Sequence, residues 1–267
     1  MNKTQLLPDR PGIPPMAKLP DPETVDPGEL LRAYESGEID LICVLGPTAS
    51  GKTRYAVELA RALGKAEILS ADSRQVYTGM DIGTGKDLGE YGDVPYHLID
   101  IVPAGTKFNI YQYQSAFADA WADVRRRGSV PILCGGSGLY IESATRAYKF
   151  EKDNGVPVSR LPQSVYYIGT LVTREERVAR IDRRLEERLQ EGLVEEIRGL
   201  LESGIPADDL IYYGLEYKFV TQYVLGQLSY EDMVVALGNA IHQFAKRQMT
   251  WFRGMERDGV RIHWVRP

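Results

Sequence analysis

Apolar positions along this chain fall into short blocks that switch between unbroken runs and helical spacing. Leu41 to Leu45 is an unbroken run followed at once by Gly46 and Pro47, the pattern of a short buried strand. Tyr55 to Leu63 carries apolar residues at helical spacing, and Glu67 to Ala71 returns to a strand pattern. Tyr96 to Val102 predicts a third strand and Tyr111 to Arg127 an amphipathic helix stopped by Gly128. Val130 to Cys134 reads as a fourth strand, closed by Gly135 and Gly136, and Val165 to Val172 as a fifth. Thr173, with Glu176 three residues on, sets a capping-box start for a long charged helix reaching about Glu202. The remainder reads as helical, including Tyr230 to Arg253, before a short strand at Arg261 to Val265. Ahead of the first strand, Asp26 to Tyr34 predicts a short capped helix.

Strands alternating with helices imply βαβ units and a parallel sheet, so the expected fold class is α/β. Residues 1–40 form a Pro-rich arm and a short helix, and residues 1 to about 28 hold seven of the fifteen prolines, the composition of a loosely attached segment. Residues 41–148 make the first part of the core. Residues 149–164, polar and carrying Gly155, Pro157 and Pro162, read as a connector, and residues 165–267 complete the core with C-terminal helices.

Composition narrows the class. At 267 residues, with 43% hydrophobic and 26% charged positions, the chain matches an ordinary globular protein with a sizeable core. No apolar run approaches the roughly 20 residues of a membrane helix, and Met1 to Pro20 lacks the apolar stretch of a signal peptide. Cys43 and Cys134 each sit in a predicted buried strand, so no disulfide framework is expected and the cytoplasm is the natural compartment. The net charge of −5 runs against whole-surface binding of nucleic acid, leaving only a local basic surface for that role.

Gly46, Pro47, Thr48, Ala49, Ser50, Gly51, Lys52 and Thr53 match G-x-x-x-x-G-K-[ST], after a strand and before a helix as that motif requires. The glycines let successive N–H groups wrap an anion, and the following helix adds the positive end of its dipole. Lys52 supplies a mobile charge and Thr53 a hydroxyl for Mg²⁺. The bland alternative, a Gly-rich turn without a ligand, does not account for the strand and the helix on either side. The expected architecture is therefore a P-loop NTPase-like three-layer sandwich. The loop specifies a polyphosphate, not ATP.

Further segments carry a family resemblance. Ser70 to Tyr77, containing Asp72-Ser73-Arg74-Gln75, follows the second strand, and Met80 to Lys86, containing Thr84, comes soon after. Pro95 to Asp100, Gly135 to Tyr140, Arg180 to Arg184 with Gly192 to Glu196, and Gln243 to Arg253 complete the series. In this order and spacing the chain resembles the tRNA dimethylallyltransferase (isopentenyltransferase) family over roughly residues 41–148 and 165–265.

The resemblance implies that the loop binds the diphosphate of dimethylallyl diphosphate with Mg²⁺, while N6 of an adenine attacks C1. It makes Asp72 the general base, and a carboxylate at the end of a parallel strand is suited to that. A helix cap is the competing reading of Asp72. Arg180 resembles the arginine that neutralises the pyrophosphate; by itself it reads as a solvated helix charge. Ser137 stands where the family usually has Thr and keeps the hydroxyl, though a plain Gly-Gly-Ser-Gly turn would look the same. Ser73, Arg74, Gln75 and Thr84 fall where the family contacts the acceptor. His97 and His242 have no metal-ligand spacing and read as packing or capping residues.

Relatives usually carry a helical insertion that grips the tRNA anticodon arm. Here only Lys149 to Ser164 occupies that place, roughly sixteen residues, too few for a helical domain. The partners expected are dimethylallyl diphosphate and tRNA (adenosine 37) or an adenine mononucleotide, with no membrane and a monomeric chain. Two other classes stay open at this point: a P-loop kinase of small molecules, and a diphosphate-binding protein without turnover.

Overall fold

The computed structural model describes residues 20–146 and 155–267. The expected loose arm lies outside the described residues as far as residue 19, and the start of the connector lies outside them up to residue 154.

Helix α1, Pro27–Glu35, is capped by the Asp26 side chain, which accepts from Gly28 N at 2.7 Å and Glu29 N at 3.2 Å, with Pro27 in the first turn. Strand β1, Leu41–Leu45, leads into α2, Lys52–Leu63, then β2, Ala66–Ser70. The short strands β3, Tyr77–Thr78, β4, Tyr96–His97, and β5, Val102–Pro103, precede α3, Ile110–Arg126. Asn109 and Gln112 close a capping box at the start of α3. Then come β6, Val130–Gly135, α4, Gly138–Thr145, and β7, Val165–Thr170. The C-terminal part runs through α5, Arg174–Glu191, α6, Leu193–Glu202, α7, Ala207–Tyr213, α8, Leu215–Val224, α9, Tyr230–Arg257, and β8, Ile262–Val265.

The main sheet has the order β4-β2-β6-β1-β7-β8, and every pairing in it is parallel. Ile42 of β1 faces Ile132 on one side and Tyr166 on the other, so the phosphate-loop strand is central. Alternation sorts its side chains between two layers. Leu41, Cys43 and Leu45 join a core with Tyr113, Phe117, Trp121, Ile141 and Phe252 from α3, α4 and α9. Ile42 and Val44 join Leu30, Ala56, Val57, Ala60 and Leu63 from α1 and α2. Helices on both faces of a parallel sheet give the three-layer P-loop NTPase-like sandwich expected. A third cluster, with Met80, Ile181, Leu185, Ile197, Tyr217 and Leu237, welds α5 to α9 onto the loop after β3.

Two elements differ from the sequence expectation. The third strand does not run from Tyr96 to Val102. Only Tyr96–His97 pairs with β2, because Leu98 (φ 65°) and Asp100 (φ 56°) turn left-handed and end the extension. Val102–Pro103 then pairs with β3 in a separate two-stranded sheet. The long helix from Thr173 keeps its capping box but stops at Gly192, whose φ of 105° suits glycine and splits it into α5 and α6. The break turns Leu193, Val194 and Ile197 into the third cluster.

Candidate active site

β1 delivers the chain to Gly46, where any side chain would collide with Ser50 and Thr170. The hydroxyls of those two residues share a hydrogen bond of 2.7 Å, which ties the loop to the end of β7. Ala49 (φ 60°) and Gly51 (φ 84°) are left-handed, so the loop curls before α2 begins. No side chain caps α2, so its first N–H groups are left for an anion. Gln248 of α9 straps the loop in place: its Oε1 accepts from Thr48 N at 2.8 Å and its Nε2 donates to Gly136 O at 2.9 Å.

β2 and β6 bring the other groups to the same sheet edge. Asp72 follows β2, and its Oδ1 accepts from Arg74 N at 3.0 Å. Ser137 follows β6; its Oγ accepts from Ser73 N at 3.1 Å and donates to Ser73 Oγ at 3.3 Å. Lys52, Thr53, Asp72, Thr84 and Ser137 line one cavity, together with Thr48, Ala49, Arg74 and Gln75. Of the loop, Gly46, Pro47, Ser50 and Gly51 do not line it; Ser50 faces Thr170 instead. Arg180 lies in an adjoining groove with Gly51 and Arg183, and the two spaces share Ala49, Lys52, Thr53, Arg184 and Arg188.

Several expected acceptor contacts are already engaged. Arg74 pairs with Glu216 at 2.9 Å and lies 5.2 Å from the Phe244 ring centre. Gln75 accepts from Ser70 Oγ and donates to Gly85 O, each at 3.0 Å. The Thr84 hydroxyl donates to Met80 O and keeps its lone pairs. His97 pairs with Glu67 at 2.7 Å and His242 with Asp182 at 2.8 Å, so each imidazole is engaged by a carboxylate and neither lines the cavity.

Burial lowers the Lys52 pKa below that of an ordinary lysine, with Arg184 adding to the effect and Cys134 and Asp72 opposing it. Burial pushes the Cys134 thiol up to about 12, against the pull of Lys52, so it stays neutral beside the loop. Among the described residues no group of three or more His, Cys, Asp or Glu could hold a metal. The oxygens of Thr53 and Asp72 in the cavity still suit Mg²⁺, which uses few protein ligands and fills its shell with water and substrate phosphate.

Residue-by-residue reading missed Arg184, Arg188, Phe244 and Gln248, all of which line the cavity. The arginines had a readable signal: positions 180, 184 and 188 share one face of α5. Gln248 had none, since its loop partner is 200 residues away.

An all-parallel sheet with a Gly-Lys-Thr loop at the end of its central strand and a carboxylate after β2 define a P-loop protein whose cavity lies at the carboxyl edge of the sheet. Comparison with known proteins narrows the class. The profile of the IPP transferase family matches residues 75–164 and 149–255, and that of isopentenyl transferases residues 39–91. The tRNA dimethylallyltransferase 1 of Porphyromonas gingivalis is 47% identical over 282 aligned positions, covering 84% of this chain and 93% of that protein. The tRNA dimethylallyltransferase 2 of Bacteroides fragilis is 45% identical, covering 85% and 93%. Among solved structures, the tRNA isopentenylpyrophosphate transferase of Bacillus halodurans superposes with a TM-score of 0.73 at 29% identity, covering 85% of this chain and 89% of that one. The chain belongs to the tRNA dimethylallyltransferase family, a family of transferases.

Proposed function

We propose that this protein transfers the dimethylallyl group of dimethylallyl diphosphate to N6 of an adenine, with adenosine 37 of tRNA as acceptor. The observation that carries the reading is the meeting of the Lys52–Thr53 loop and Asp72 in one cavity. The loop amides and Lys52 take the diphosphate, and the Thr53 hydroxyl would hold Mg²⁺, which would supply further charge neutralisation. The N6 lone pair forms the new bond to C1 as the C1–O bond breaks, and diphosphate leaves with the electron pair. Asp72 takes or orients the N6 proton. Arg180 and Arg184, on one face of α5 beside the loop, stabilise the charge gathering on the leaving group. Ser137 holds the Asp72–Ser73 turn through Ser73 N and faces the acceptor.

The acceptor grip is reduced relative to the family. The alignment with the Porphyromonas protein is longer than this 267-residue chain although it uses only 84% of it, so that relative has tens of positions without a counterpart here. The two IPP transferase matches overlap at 149–164, where the insertion is expected. From residue 155 this connector is pinned to the core: Val156 N donates to Gln114 at 2.9 Å, and Gln163 N and Ser164 N donate to Asp40 at 2.9 and 3.1 Å. Among the described residues no helix is long and apolar enough to cross a membrane. A monomer working in the cytoplasm completes the reading, in line with two buried free cysteines.

Labelled dimethylallyl diphosphate incubated with an anticodon stem-loop, AMP or ADP tests this. Label is expected in the RNA. Label in the mononucleotides alone would reassign the acceptor; no label uptake, together with phosphate transfer in a parallel incubation with labelled ATP, would restore the kinase reading.

A further inference from the structure

The turn from Asp81 to Gly85 forms one wall of the cavity through Gly83, Thr84 and Gly85. It belongs to no strand or helix; Gly85 N donates back to Asp81 O and Ile82 O, but the N–H groups of Asp81, Ile82 and Gly83 need partners from elsewhere. Glu196 of α6 supplies them. Its Oε2 accepts from Asp81 N at 2.8 Å and Ile82 N at 2.7 Å, and its Oε1 accepts from Gly83 N at 3.0 Å. The Tyr217 hydroxyl of α8 donates to the same Oε1 at 2.6 Å. Four donors fill the capacity of one carboxylate, and bonds to a charged acceptor are the stronger kind. Tyr217 also presses on the turn, since a Cβ on Gly83 would stand 2.7 Å from its ring. The carbonyls of the turn are held separately: Arg188 donates to Ile82 O, and Gln75 donates to Gly85 O at 3.0 Å. Glu196 itself does not line the cavity.

We propose that Glu196, backed by Tyr217, is a positioning residue that sets the Gly83–Thr84–Gly85 wall at the distance the adenine acceptor requires. Through it the C-terminal helices control acceptor geometry without touching the substrate. The proposal rests on the dimethylallyl-transfer reading for its substrate.

Two variants test it. Glu196→Gln turns an amide NH₂ toward backbone donors; Tyr217→Phe keeps the ring against Gly83 and removes one hydroxyl. For Glu196→Gln, kcat/KM for an anticodon stem-loop is expected to fall about tenfold or more, while affinity for a dimethylallyl diphosphate analogue stays within about twofold. Tyr217→Phe moves the same quantities in the same direction by less, and carries the test alone if Glu196→Gln does not fold. Hydrogen exchange at the amides of residues 81–83 is expected to quicken in both variants, with the amides of residues 46–53 unchanged. Unaltered exchange at 81–83 would overturn the latch. So would unaltered kcat/KM, or equal losses in RNA turnover and diphosphate affinity, which would mark general loosening. Absence of transfer by the native chain would count against the functional reading, while exchange at 81–83 would still judge the latch.

Discussion

Lys52 shows how burial sets up chemistry at a single side chain. Its pKa lies below that of a free lysine, chiefly through burial, so the charged form is disfavoured in the fold relative to the unfolded chain. That penalty is complete at low pH, begins to shrink as pH rises through the lowered value, and is gone only above the ordinary lysine value of the unfolded chain. On the proposed reading diphosphate needs the charged form, so above the lowered value binding must take up a proton. Affinity for a dimethylallyl diphosphate analogue is therefore expected to fall with rising pH more steeply in the native chain than in Lys52→Ala, which binds weakly throughout. Calorimetry in buffers of different ionisation heat would detect the proton uptake; parallel pH profiles for the two proteins would refute it. Asp72 has two jobs, since its Oδ1 closes the turn onto Arg74 N while the residue lines the cavity. Asparagine keeps the accepting oxygen, so Asp72→Asn is expected to fold and bind diphosphate while turnover drops by roughly 10² or more. Near-normal turnover would leave Asp72 as a cap alone. Ser137→Thr is expected to be tolerated, whereas Ser137→Ala strips Ser73 N of its acceptor and lowers activity. An alanine variant as active as the native chain would show that only the turn matters.

At the level of elements, what sequence could reveal depended on how local the cause was. β1, β2, β6 and β7 were legible because each is a short, mainly apolar segment set off by polar or glycine residues, and most of their residues are buried as in parallel strands. The phosphate loop was legible for the same reason: its shape is written in consecutive residues. The segment after β4 was not, since Leu98 and Asp100 are ordinary residues held left-handed by tertiary contacts, among them the ion pair of Asp100 with the buried Lys86. The split at Gly192 had a local sign, a glycine at a helix end, masked by the long run of charged residues around it. Gln248 was illegible, for a glutamine in a helix does not announce two partners on distant loops. Its removal should therefore be felt in the loop. Gln248→Leu leaves Thr48 N and Gly136 O without their partner, and an expected loss of about 1–3 kcal/mol should appear in urea unfolding alongside weaker diphosphate binding. Unchanged affinity would mean that the Ser50–Thr170 bond holds the loop unaided.

Over the whole molecule, stability and function are placed at different ends of the sheet. Glu67, early in β2 and only 4% exposed, is pushed up by burial, but hydrogen bonds from Arg127, His97 and Ser129 outweigh this and leave its pKa below the ordinary value. A lowered carboxyl pKa adds stability that is complete above the unfolded value and is lost as pH falls through the folded one. Glu67→Gln is expected to lower the unfolding midpoint at neutral pH, to narrow that gap in acid, and to leave transfer activity alone. A gap that stays constant across the acid range would remove Glu67 from the account. The net charge of −5 and the short connector make a second expectation at this scale: RNA binding weaker than a full insertion would give. Each missing Lys or Arg contact flattens the salt dependence by about one unit of slope. Filter binding of an anticodon stem-loop over a salt series would show it, and tight, steep binding indifferent to AMP would contradict it.

The strand order also has a consequence in time. A ribosome hands out the phosphate loop early, yet the residues that give it shape come late. Ser50 waits for Thr170, 120 positions on, and Thr48 waits for Gln248, 200 positions on. Contacts so far apart close slowly and only after much of the chain exists. A nascent chain therefore exposes the loop's sequence long before it can seize an anion. The loop has its full set of supports only when α9 lays Gln248 across it.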